Sequence, residues 1–491
     1  MPDDCEDTAL RGGAPASDKP SLNTGSSCPS EYDGESDSSS IVYDHEPFTT
    51  FKERVRTFTQ RSIWPDTTPN QKIAIERLKG GGFNRIIGLS LETDEPDQMT
   101  TIRYILRIPR FDAAQVDRDV AALEFIRQHT RIAAPRVVKY DATEHNELNS
   151  PYMVQNRING TDLFSVYPQL DHGARCRVAK DLGDVFRQML AVRSSAPGRL
   201  ALSKNDKNKH GGSQLQVVPF KPTKSSTPTP YSSAFGVQSV HEMLTGTFQA
   251  FKEDASRRDP GNIAALQLMD EFSEMTTDLS TDGWLDDTSY TLAHLDLAPR
   301  NILLDPTRSP DEPIISAILD WDSAVLAPKF MSCTPPLWLW AWKEDEDEDE
   351  RTANDTPSTP EACQLKRIFE DAAGKDYIKF AYKPTYRLAR QLVRFAIDGV
   401  QSNEEFKEAK MMLQEWQSIR LEISTSSPTA SHDELRLGNA NGKANEKANK
   451  DLFGVRIFKS IVENVRWCIQ RIISVIPKWL KRKSYRHRKP N

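Results

Sequence analysis

The 491-residue chain has no run of 18 apolar residues, which excludes a membrane-spanning helix. Cysteine is scarce: the six copies, at positions 5, 28, 176, 333, 363 and 468, form no C-x-x-C pair. That pattern argues against a disulfide framework and a structural zinc site, and it suits a reducing, intracellular compartment. Neither G-x-x-x-x-G-K-[ST] nor G-x-G-x-x-G occurs, so the P-loop and dinucleotide fingerprints are absent. His241-Glu242 is followed at 245 by Thr, not His, which removes the H-E-x-x-H zinc-protease reading. Apolar content is low, at 37%, with a mean hydropathy of −0.59 and 31 prolines. The deficit predicts disordered segments around a folded middle. Met1 to Leu10 is acidic and without an apolar core, so it does not read as a secretory signal and the expected location is cytoplasmic.

What is present is unevenly distributed. Residues 1–48 are rich in Gly, Ser, Asp and Glu and read as a disordered acidic leader. Apolar periodicity begins near Phe51 and runs to about Ile423. Two stretches interrupt it, and both read as solvated insertions. One is 203–233, dense in Lys, Ser, Thr and Pro; the other is 344–361, which opens with seven consecutive acids. Residues 424–450 read as a linker. The final segment, 451–491, reverses the charge: from Leu452 onward it has eleven Lys or Arg against the single acid Glu463. Val455, Phe458, Val462, Val465, Ile469, Ile472 and Ile476 recur at helical spacing. A basic amphipathic helix over 452–483 suits an anionic membrane surface, a partner's groove, or the protein's own body. It contains no nucleic-acid reading module, so no specific nucleic-acid partner is expected.

The N-terminal folded part, 50–157, reads as strand, glycine turn, strand over Lys72 to Leu91, then a strand at Thr101 to Ile108, a helix at Ala113 to His129 and a strand at Tyr152 to Ile158. Gly80, Gly81 and Gly82 either let backbone N–H groups approach phosphates or simply make a tight hairpin turn. Arg107 is a cation near the end of an apolar strand. Asp119 lies three residues after Val116 and four before Leu123, on the inward stripe of its helix. A carboxylate there needs a cation, and Arg107 is the natural partner, whether the pair aims a guanidinium at a nucleotide or is purely structural.

The most specific pattern lies between 290 and 330. TLAHLDLAPRNILLD places His294 two residues before Asp296 and Asn301 five after it; IISAILDWDSA ends an apolar strand on Asp320. Ile302 to Leu304 and Ile314 to Leu319 read as antiparallel strands joined by a connector with three prolines. Such a hairpin brings Asn301 and Asp320 together as a hard-oxygen pair suited to Mg²⁺. Asp296, just upstream, can take the proton of an attacking hydroxyl. Base, metal amide and metal carboxylate therefore occur in the order phosphoryl transfer requires.

These residues resemble those of the aminoglycoside phosphotransferase-like kinases, in particular the phosphotransferase-domain type common in fungi. The matching stretches are KGGGFNRI, YILRIPR, VDRDVAALEFIRQHT, APRVVKYDATEHNELNSPYMVQNRINGTDL, LAHLDLAPRNILLD and ILDWDSAVLAP, across about 50–420. The resemblance implies an α+β, bilobal protein-kinase-like fold: a small antiparallel-sheet N-lobe (50–157), a mainly helical C-lobe (158–423), and ATP between them. It implies Asp296 as catalytic base, Asn301 and Asp320 as Mg²⁺ ligands, and Arg107, with Asp119, at the nucleotide. His294 would orient the loop. Three departures stand out: Arg107 where Lys is usual, Asp119 where Glu is usual, and Asp320-Trp321-Asp322 in place of D-x-G. They mark either a subfamily or a non-catalytic nucleotide-binding scaffold. The expected activity is ATP- and Mg²⁺-dependent transfer to a small-molecule hydroxyl acceptor. A protein kinase is disfavoured because no A-P-E segment follows Asp320.

Overall fold

The computed structural model describes residues 46–78, 84–95, 98–110, 114–203, 214–221, 227–234, 238–286, 289–343 and 349–426. Gly80, Gly81 and Gly82, the segment 452–483 and nearly all of the expected leader and linker lie outside them. Residues 46–52 enter helix α1 (Phe48–Phe58), and Glu53 onward forms a separate unit.

Strands β1 (Gln71–Arg77), β2 (Asn84–Glu95) and β3 (Gln98–Pro109), helix α2 (Ala114–His129), and strands β4 (Val137–Asp141) and β5 (Tyr152–Asn156) make the N-lobe. The sheet order is β1-β2-β3-β5-β4, all antiparallel. Period-two alternation gives this sheet two distinct faces. Ile87, Leu89, Leu106, Ile108, Tyr152 and Val154 fill one of them, and Phe58 packs edge-on against Tyr152 with ring centroids 4.7 Å apart. The other face carries Arg107 and is covered by α2 through Val116, Val120 and Leu123, with Asp119 buried among them as the spacing predicts.

The chain then crosses into β6 (Thr161–Asp162) and the short helix α3 (Leu163–Val166), followed by α4 (His172–Ala191), β7 (Gly198–Leu202), β8 (Leu215–Val218) and β9 (Thr229–Pro230). Helices α5 (Val240–Arg258) and α6 (Ile263–Thr281) precede β10 (Tyr290–Ala293), β11 (Ile302–Leu304), β12 (Ile315–Ile318) and β13 (Val325–Pro328). Four helices finish the C-lobe: α7 (Pro360–Ala373), α8 (Lys375–Ala381), α9 (Pro384–Asp398) and α10 (Asn403–Ser426). Their ends follow local chemistry. Ser239 and Glu242 form a reciprocal capping box on α5, and Thr359 caps α7 ahead of a proline at its first position. Aromatic clusters tie the helices together: Phe186, Phe369 and Tyr377 edge-to-face, and Phe248, Phe272 and Phe395 across α5, α6 and α9. The whole is the expected kinase-like fold, an antiparallel N-terminal sheet followed by a mainly helical part.

Two expectations need correction. The segment 203–233 is not simply a solvated insertion: β8 and β9 extend a sheet ordered β10-β13-β7-β8-β9, and Leu215, Val217 and Phe220 are buried. Alternation hid this, because only every second residue of the stretch turns inward. Nor is the acidic stretch 344–361 wholly solvated. Glu350 pairs with the buried Arg390, and Ala353 is buried. Among the described residues no helix is long and apolar enough to cross a membrane.

Candidate active site

The hairpin β11–β12 forms as the apolar triplets require, with Ile302 opposite Ile318 and Leu303 opposite Ala317. Its open end is closed by Leu319 N donating to Asn301 O at 2.7 Å, which brings Asn301 beside Asp320. Strand β6 adds to the outer side of β11. The crossing there depends on Gly160, at φ 146°, where a Cβ would lie 2.7 Å from Leu304 O and from Ser316 Oγ. Only glycine fits so close to the hairpin with that backbone.

Asp296 sits on the loop before the hairpin. Asn301 Nδ2 donates to its backbone oxygen at 2.8 Å and to its carboxylate Oδ2 at 3.1 Å, while the Arg300 guanidinium holds Oδ1. The amide oxygen of Asn301 is not spent on that loop. His294 is buried and accepts from Asp296 N at Nδ1, 3.3 Å away; its Nε2 is 2.9 Å from Leu319 O. Accepting at Nδ1 leaves the proton on Nε2, donated to that carbonyl. Burial lowers its pKa, and Trp321 covers the ring at 4.5 Å. A neutral histidine thus ties the loop of Asp296 to the strand end of Asp320. Both loops carry left-handed non-glycine residues: Leu295 and Asp320 each have φ 63°. Backbone strain of this kind persists only where the surroundings hold it.

Arg107 reaches this point from the N-lobe. Its nearest acid is not Asp119 but Asp320, 3.0 Å away; Asp119 is at 3.7 Å and Asp322 at 3.9 Å. Burial alone would lower the arginine's pKa, yet Asp320, Asp119 and Asp322 together hold it above its ordinary value. Three carboxylates share one guanidinium, and the imbalance shows in their protonation. Burial pushes Asp119 up to about 6 despite Arg107, and burial with the charges of Asp320 and Asp119 pushes Asp322 up to about 7. Asp119 Oδ1 and Arg107 Nε are buried without hydrogen-bond partners. The excess of anionic oxygen fits a divalent cation. Among the described residues no three His, Cys, Asp or Glu side chains form a ready-made cage.

The protonation has a measurable sign. Asp322 binds its proton more tightly in the native than in the unfolded chain. Its contribution is therefore fully present below the ordinary carboxylate range and lost as pH rises through about 7. Relative to Asp322→Asn, the ligand-free wild type should be less stable at pH 8, by up to about 4 kcal/mol, and the gap should narrow as pH falls and close only near pH 4. Paired denaturant titrations at the two pH values check this; a gap that widens on acidification contradicts it.

Against the loop lies a cavity of about 230 Å³, lined by His294, Leu295, Leu297, Pro336, Trp338 and Arg394, among others. Trp338 and Trp340 are buried, so two of the three tryptophans in PPLWLWAW belong to the core and one of these also walls the cavity. The structure brings together Asp296, Asn301, Arg107, Asp119 and Asp320. It adds two partners whose engagement sequence spacing did not resolve, Arg300 and Asp322.

Residues 91–350, more than half of the chain, match the phosphotransferase enzyme family, APH, and the chain belongs to that family. It is 22% identical over 316 residues to a subtelomeric hrmA-associated cluster protein of Aspergillus fumigatus, covering 53% of this chain and 60% of that one. It is 32% identical over 87 residues to altered inheritance of mitochondria protein 9 of Candida tropicalis, 18% of this chain and 14% of that protein. The chain thus spans 60% or less of the length of these curated relatives. Among solved structures, the GDP complex of aminoglycoside 2'-phosphotransferase-IIIa is 14% identical with a TM-score of 0.40, covering 75% of this chain and 99% of that one. Spectinomycin phosphotransferase APH(9)-Ia, with ADP and spectinomycin, is 15% identical with a TM-score of 0.29, covering 72% and 93%.

Proposed function

We propose that this protein transfers the γ-phosphoryl group of ATP to a hydroxyl of a small molecule, with Mg²⁺ as cofactor. The observation that carries the reading is the convergence of Asp296, Asn301, Asp320 and Arg107 from two lobes onto one point. Asp296 takes the hydroxyl proton; its carboxylate is oriented by Asn301 Nδ2 and paired with Arg300. Asp320 and the amide oxygen of Asn301 would hold Mg²⁺, which when bound neutralises charge on the phosphates. Arg107 would turn from Asp320 to phosphate oxygens, and Asp119 would keep its guanidinium aligned. The acceptor would enter by the cavity beside Leu295 and Trp338. Positioning and charge, rather than covalent chemistry, supply the rate.

A thermal-melt titration tests the reading without an acceptor. ATP should raise the melting temperature in Mg²⁺, by about 2.7 kcal/mol of stabilisation at a hundred times the Kd, and far less in EDTA. Asp320→Ala should abolish the Mg²⁺-dependent part. No shift at millimolar ATP contradicts the proposal. A second reading, a nucleotide-binding scaffold without turnover, is favoured by one contact, the guanidinium of Arg107 on the carboxylate of Asp320. Mg²⁺-ATP binding with no transfer to any hydroxyl compound in a broad screen would select it.

A further inference from the structure

The strand β5 reads Tyr-Met-Val-Gln-Asn, an apolar run with an amide in its second-to-last position. Gln155 is only 7% exposed, and its Oε1 is buried with no hydrogen-bond partner. A buried amide oxygen without a donor costs free energy, and so marks either strain or a place where a ligand completes the bond.

Its direction follows from the sheet register. Arg107 pairs with Met153 and Ile105 with Gln155, so alternation puts Arg107, Ile105, Met153 and Gln155 on one face. That is the face from which Arg107 reaches Asp119 and Asp320. The opposite face is occupied by Leu106, Val154 and Tyr152. Gln155 stands opposite the residue two positions before Arg107, roughly 7 Å along the strand direction. It is also at the end of β5, two residues before the chain leaves the sheet through Arg157 and Gly160 towards β6.

The surroundings of the amide suit a flat aromatic group. Ile86 pairs with Arg107 and shares this face with Ile105; both are half-buried. From the C-lobe, Leu303 is half-buried between the fully buried Ile302 and Leu304, so it is the outward residue of β11, two places after Asn301. Half-buried apolar side chains on the Arg107 face of the sheet, beside one orphaned acceptor, suit a purine whose phosphates lie at Arg107.

We propose that Gln155 reads the base of the bound nucleotide, its Oε1 accepting from the exocyclic 6-amino group of adenine. This rests on the nucleotide reading above and adds which base is chosen. The orphaned atom is an acceptor, and at that edge adenine presents a donor, whereas guanine and hypoxanthine present an oxygen. An amide whose Nε2 lies alongside can also donate to the adjacent ring nitrogen, the bidentate match of glutamine to adenine. Sites built around a hydrogen bond reject analogues lacking the group, because the buried partner is then left unpaired.

The experiment measures Mg²⁺-dependent binding of ATP, ITP and purine riboside triphosphate, which lacks the 6-amino group, to the full chain by calorimetry. Wild type should bind ATP about tenfold or more tightly over both analogues. Gln155→Met, close in volume, should bind all three alike, by losing ATP affinity rather than gaining the others. The same variant should melt higher than wild type without ligand, since an unpaired buried amide is removed, and inorganic tripolyphosphate should bind both proteins equally. Equal binding of the three nucleotides by wild type, or discrimination that survives in Gln155→Met, overturns the base assignment and leaves the phosphotransferase reading standing. Binding of none of the three overturns both.

Discussion

Asp296→Asn is expected to lower phosphotransfer by about 10²–10⁴-fold while leaving ATP affinity within a few-fold of wild type. The substitution keeps shape and removes the charge. Asn301 Nδ2 can still donate to the backbone oxygen of residue 296, so the loop should hold its conformation. What is lost is the group that takes the hydroxyl proton, an interaction made as the reaction proceeds and not in nucleotide binding. The expected signature is a fall in kcat at nearly constant KM for ATP, measured with an acceptor found by screening hydroxyl compounds. A kcat unchanged within a factor of three would remove Asp296 as the base. Asp320→Ala should differ in kind, weakening Mg²⁺-dependent nucleotide binding itself.

Arg390→Met should cost about 3–5 kcal/mol of stability. The side chain is 4% exposed, and its guanidinium donates to Phe380 O and Ala381 O, both at 3.0 Å, while also pairing with Glu350. Methionine fills much of the volume but strands two carbonyls and a partly buried carboxylate, each with its own desolvation cost. Domains of ordinary stability hold about 5–15 kcal/mol, so the loss is a large share of the total. Arg187→Ala is the contrast: that side chain is 62% exposed beside Asp184, and a surface pair of this kind contributes about 1 kcal/mol at most. Chemical denaturation of the two variants against wild type decides it. Equal effects would mean that burial of Arg390 is not what gives the pair its weight. Because Arg390, Leu295 and Trp338 line the same cavity, Arg390→Met should also perturb acceptor affinity.

Much of the site was legible because its geometry is local. Two apolar triplets and a proline-rich connector leave few ways to fold 302–319 other than as a hairpin, and a hairpin necessarily brings Asn301 near Asp320. Four of the five N-lobe strands were legible in the sequence, and Asp119 from its place on the buried stripe of α2; β4 (Val137–Asp141) was not. The sheet that β8 and β9 build was not legible, since a stretch dense in Lys, Ser, Thr and Pro can still turn Leu215 and Val217 inward at every second position. Nor did the acidic run reveal that its last member, Glu350, is held by an arginine 40 residues further on.

The sequence by itself determined the fold family, the hairpin, the order in which Asp296, Asn301 and Asp320 enter the candidate site, and the need of Asp119 for a cation. These follow from periodicity and short-range chain geometry, which act between residues a few positions apart. Tertiary structure alone decided that Arg107 sits closer to Asp320 than to Asp119, that Asp322 joins them as a third acid, that His294 ties the loop of Asp296 to the strand end of Asp320, and that Gln155 lies on the Arg107 face of the sheet with an unpaired acceptor. Arg107 and Asp320 are 213 residues apart. No local pattern relates them, and they meet because the packing of two lobes leaves one guanidinium among three carboxylates.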